Sequence, residues 1–147
     1  MLRVSWADIV LWLHIVAACV WIGGQIVVAI VIPLLRENRP LGSAIGRRFQ
    51  AVAWPAFLVL LATGIVNVGN AGLSWSRLLD SPAGRTLLVK LGLVAVSGLA
   101  AGVHAFLQAP RKDGAVIGRQ RASALLGSAS LLAALGAALY GVVIAHG

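Results

Sequence analysis

PAGRTLLVKLGLVAVSGLAAGVHAFLQ, residues 82–108, decides the fold. Its apolar residues run far enough to cross a bilayer, which takes about 20 residues at 1.5 Å each. Beyond Arg85 and Thr86 at its start, four polar side chains interrupt the run: Lys90, Ser97, His104 and Gln108. The steps between them are 7, 7 and 4 residues. At about 100° per residue the four share roughly one helix face. An ionisable side chain in hydrocarbon costs at least ~2.5 kcal/mol. Residues of this kind face a bundle interior, a cofactor or an ion path, so the stripe predicts a functional face.

Three more runs of the same character flank it. The spans fall at about 6–35, 49–68, 82–108 and 122–145 of the 147 residues. With 60% hydrophobic and 11% charged residues and a mean hydropathy of +0.95, the chain is too apolar for a soluble domain of its size. Backbone groups in lipid must be satisfied internally, so the spans are helices. The expectation is an all-α integral membrane four-helix bundle, one domain over 1–147. Apolar residues run from Ile9 to Leu35 with no small-x-small cleavage site after them. That run reads as a retained helix rather than a signal peptide.

The net charge of +8 is placed in a membrane pattern. The first connection holds Arg36, Arg39, Arg47 and Arg48 against Glu37, and the third holds Arg111, Lys112, Arg119 and Arg121 against Asp113. The second holds Arg77 and Arg85 against Asp80. The positive-inside bias puts connections one and three in the cytoplasm and both termini outward. Basic residues gathered in short loops also exclude nucleic-acid binding. In the second connection, Leu73, Trp75, Leu78 and Leu79 suit a short amphipathic segment on the outer surface. Ser81-Pro82 reads as an N-cap and first helical residue. Trp6 and Trp75 belong near the outer interface and Trp54 nearer the inner one.

Small residues predict close helix packing: Gly98 and Gly102 on span three, and Ala129, Ala133, Ala137 and Gly141 on span four. Such faces also admit a homo-oligomer. Cys19 is the only cysteine and stands about 140° around the helix from His14, away from any shared ligand set. On span one, His14, Trp21 and Gln25 share a face, and on span two Thr63, Asn67 and Asn70 share another. His14 and His104 should differ in depth by roughly 20 Å, too far to hold one ion together. Two functional readings follow. In one, His14 and His104 are separate stations of an ion path with His146 near its outer mouth. In the other, one histidine is the axial ligand of a buried haem. Against both stands a plain structural reading, in which the histidines, Thr63 and Asn67 hydrogen-bond neighbouring helices and Lys90 snorkels to the interface. No GxSxG, HExxH or Walker loop occurs, so several enzyme templates are missing. Only four acidic residues are present, near span ends or in loops, which excludes a carboxylate proton relay.

The run Leu78-Leu79-Asp80-Ser81-Pro82-Ala83-Gly84-Arg85-Thr86-Leu87-Leu88-Val89-Lys90 resembles the segment that opens a helix in the CopD copper-resistance membrane domain. Arg47-Arg48-Phe49 followed by Ala62-Thr63-Gly64 resembles the preceding helix of that domain. Leu13-His14 followed by Trp21-Ile22-Gly23-Gly24 is similar to the helix before that. The resemblance implies a multi-pass protein of the bacterial inner membrane that handles copper, with uptake from the outer side. It also implies a periplasmic copper-binding protein as partner. His14, His104 and His146 would be metal ligands, and Trp21, Gln25, Thr63, Asn67 and Ser97 would line the interior. Met1 is the sole methionine, so imidazole rather than a thioether ladder would meet the metal. A looser resemblance links His14, Trp21 and Lys90 to the HemJ-type haem-binding protoporphyrinogen oxidases. It implies haem b on His14, with Lys90 paired to a propionate or substrate carboxylate.

Overall fold

The computed structural model describes residues 3–35, 37–73, 76, 78–108 and 116–146, the side chains of 39, 116–120, 145 and 146 excepted. Trp75, the His146 ring and the charges of Arg36, Arg77, Arg111, Lys112, Asp113 and Arg119 lie outside the described residues or side chains. Within them the chain is four helices without a strand: α1 (Trp6–Leu34), α2 (Arg39–Asn70), α3 (Pro82–Gln108) and α4 (Val116–His146). All four contain a stretch long and apolar enough to cross a membrane. The chain is thus the all-α multi-pass membrane protein that composition demands. It divides into two compact units, Met1–Leu78 and Leu79–Gly147, each an antiparallel helix hairpin.

Local chemistry sets the ends of the first hairpin. Ser5 and Asp8 form a capping box at the start of α1: the Asp8 amide donates to Ser5 Oγ (3.2 Å) and the Ser5 amide donates to Asp8 Oδ2 (2.8 Å). Pro33 stands in the last turn of α1, where a helix ends most cheaply. Asn38 caps α2, its Oδ1 accepting from the Leu41 amide at 3.2 Å, with Pro40 in the first turn. The helix therefore begins ahead of the apolar run. Its opening turns carry polar residues, among them Arg47, which donates to Ser43 Oγ at 2.6 Å. At the far end, Gly72 adopts φ +70°. The Gly72 amide donates to the Gly69 carbonyl (3.0 Å) and the Leu73 amide to that of Val68 (3.2 Å). That pattern is a Schellman stop, and its left-handed residue is one that glycine fills without strain.

In the second hairpin Ser81 caps α3 as its sequence suggests, its Oγ accepting from the Gly84 amide at 3.0 Å. The described interior is built mostly from small side chains, Ala100, Ser97, Ser123, Ser130, Ala133, Ala134 and Ala137, with Leu87 buried beside them. Large apolar residues such as Leu99, Leu125 and Leu132 stay outside. A lipid solvent gives little drive to bury leucine, so helices gain most by close approach over small residues. Of the expected small-residue stripe on α4, Ala133 and Ala137 are buried, whereas Ala129 is exposed and the adjacent Ser130 takes its place. Cys19 lies exposed on α1.

Candidate functional site

In the first hairpin the polar faces of α1 and α2 meet at His14. Its Nδ1 lies 2.9 Å from Thr63 Oγ1. The Thr63 hydroxyl in turn reaches back to the Val59 carbonyl at 2.6 Å and the Leu60 carbonyl at 3.3 Å, the usual habit of a threonine inside a helix. The next residue, Gly64, leaves room for the ring. A Cβ built there would stand 3.3 Å from His14 Cε1. The pair sits about 12 Å below the open end of the hairpin, eight residues into α1.

Two turns farther along α1 the interior becomes aromatic. Trp21, 3% exposed, stacks at a tilt on Phe57 with ring centres 4.5 Å apart, and meets Trp54 edge-on at 5.7 Å. Trp54 was expected near a membrane interface. It stands in mid-helix on α2 and joins this cluster. Beyond the cluster, Gly24 lets α2 come so near that any Cβ would overlap the Phe49 ring. Gln25 follows, with its side-chain nitrogen buried and without a hydrogen-bond partner among the described residues. Turning the amide over exchanges an unmet donor for an unmet acceptor, so Gln25 holds unspent hydrogen-bonding capacity either way. Asn67 is partly exposed near the end of α2.

The second hairpin carries the stripe of Lys90, Ser97, His104 and Gln108, and the structure turns all four towards α4. Lys90 passes Gly141, with Nζ 3.0 Å from where a Cβ would stand. Ser97 Oγ lies 3.3 Å from Ser130 Oγ, and the Ser130 hydroxyl donates to the Ser97 carbonyl at 2.9 Å. Both serines are 1% exposed. His104 Nδ1 lies 2.7 Å from the Ser123 carbonyl and 3.0 Å from its Oγ. Gln108 Nε2 donates to that same Oγ at 2.9 Å. Gly127, one turn after Ser123, lies beside the His104 ring, 3.5 Å from Cε1 and Nδ1 of that ring to an added Cβ. A polar seam thus runs between α3 and α4 for about 27 Å, the rise over eighteen residues.

Ser123, Ser130 and the glycines of α4 are the partners that sequence reasoning missed. The signal was present as small residues at helical spacing, which read equally well as packing. Among the described residues no group of three histidine, cysteine, aspartate or glutamate side chains gathers to enclose an ion. His14 and His104 are each a single imidazole held by a partner within its own hairpin.

A comparison with known families finds one match, to copper resistance protein D, over residues 43–146. It takes in Thr63, the α3–α4 seam and its serines, and begins after His14. No curated protein and no solved structure matches the chain. Spanning helices, a polar seam carrying histidine, and a match over most of the chain agree, and the protein belongs to the copper resistance protein D family.

Proposed function

We propose that the protein passes copper through the bacterial inner membrane as cargo, using His14 and His104 as two separate single-imidazole stations. The observation that carries this reading is the pair of histidines inside spans, each braced through Nδ1 by the neighbouring helix. A ligating histidine is ordinarily oriented through its second ring nitrogen in this way. Imidazole accepts copper in either valence, though thiolates and thioethers are the softer choice for Cu(I). One ligand per station keeps binding weak enough for release. Gln25, deeper in the first hairpin, and Asn67, one turn nearer its open end than Thr63, would line it on either side of His14, and His146, at the end of α4, is proposed as the outer mouth. Uptake, with connections one and three cytoplasmic, is the direction that the basic loops support. A periplasmic copper-binding protein would then deliver the ion to the side on which His14 lies.

The test joins an absorption spectrum and metal analysis of the detergent-purified protein to copper accumulation in cells. Copper in a colourless protein, with accumulation reduced at least tenfold in His14→Ala and in His104→Ala, is the expected result. A Soret band with stoichiometric iron would overturn the reading in favour of haem b on His14. Unchanged accumulation in both variants would remove the stations.

A further inference from the structure

The two histidines are held by different groups with the same chemical consequence. A threonine hydroxyl has one proton. At 2.6 Å from the Val59 carbonyl, which has none to give, Thr63 Oγ1 must spend that proton there. What it offers His14 is a lone pair, so the proton in the 2.9 Å contact belongs to Nδ1. At His104 the acceptor is the Ser123 backbone carbonyl at 2.7 Å. A carbonyl accepts only, so Nδ1 again carries the proton. The Ser123 hydroxyl, 3.0 Å from the same nitrogen, takes a minor share of it.

We infer that Thr63 in the first hairpin and the Ser123 carbonyl in the second are positioning groups that hold His14 and His104 as Nδ1–H tautomers, so that Nε2 is the lone-pair atom of both rings. In the neutral ring the proton-free nitrogen is the one that binds a metal or accepts a proton. Nε2 is then the atom through which either ring would take a metal. The tautomer assignment stands on geometry alone, and only its consequence for copper rests on the proposed function. The two braces also differ in a way that mutation exposes. Removing the Thr63 hydroxyl removes the acceptor for His14. Removing the Ser123 hydroxyl leaves the carbonyl that serves His104.

The experiment is 15N NMR of the full-length protein, labelled at histidine, metal-free in detergent at pH about 8.5, some two units above the ordinary histidine value. Loss of signal in His14→Gln, His104→Gln and His146→Gln assigns the rings. The expected wild-type spectrum shows a pyridine-like Nε2 and a protonated Nδ1 for both His14 and His104. Thr63→Val should shift His14 towards the opposite tautomer, Thr63→Ser should restore it, and Ser123→Ala should leave His104 unchanged. An Nε2–H tautomer at either ring in the wild type overturns the inference at that ring, whether or not the variants fold. Conversion of His104 by Ser123→Ala would show that the hydroxyl, not the carbonyl, holds it. Cu(I) is then added to the same wild-type sample. A pyridine-like Nε2 that Cu(I) fails to perturb would sink the copper stations while leaving the tautomers established.

Discussion

Two glycines beside two histidines look interchangeable in sequence and are not. An added methyl at Gly64 comes within 3.3 Å of His14, tighter than ordinary contact, whereas at Gly127 it clears His104 by 3.5 Å. Alanine is favoured over glycine inside a helix by about 0.5–1 kcal/mol. Gly127→Ala should therefore raise the thermal unfolding midpoint in detergent. Gly64→Ala should fail to raise it, because pushing the ring costs about as much. Equal stabilisation by both would mean that His14 moves aside freely. Individual residues such as His14, Thr63 and His104 were legible from sequence as polar side chains in apolar helices. Their pairing was not, since it depends on antiparallel register, and register follows in part from which small residues permit close approach.

Among the elements, α3 shows how far periodicity carries. The spacing of Lys90, Ser97, His104 and Gln108 fixed their common face, and that face is the one turned to α4. What covers it was less legible, because serines and alanines at neighbouring positions give no contrast, and the structure chose Ser130 over Ala129. The Ser97–Ser130 contact is built so that one half survives truncation. Ser97→Ala keeps the carbonyl to which Ser130 donates at 2.9 Å. It should cost no more than about 0.6 kcal/mol, the average for an interhelical hydrogen bond in a membrane. Ser97→Leu must overfill a site that is 1% exposed and should cost about 1–3 kcal/mol. Reversible unfolding in mixed micelles measures both, and comparable losses would mean that α3 and α4 pack loosely at this level.

For the whole molecule the governing quantity is where the positive charge lies. Arg47 and Arg48 stand on the exposed opening turns of α2, and Arg121 opens the apolar part of α4. Each basic group moved across the bilayer core would cost about 2.5–3.5 kcal/mol on insertion scales. The orientation that the charges favour has both termini outside. An alkaline phosphatase fused after residue 147 should be active, and a fluorescent protein fused there after export should be dark. The reverse pair of results would invert the topology and, with it, the proposed direction of copper movement.

The division of the chain at residues 78 and 79 has a consequence for how the protein can be made. Each hairpin closes its own helix–helix hydrogen bonds, His14 to Thr63 in one and Ser130 to Ser97 in the other. Neither half needs the other to finish those bonds. Two separately translated halves, co-expressed in one membrane, should each insert as a hairpin.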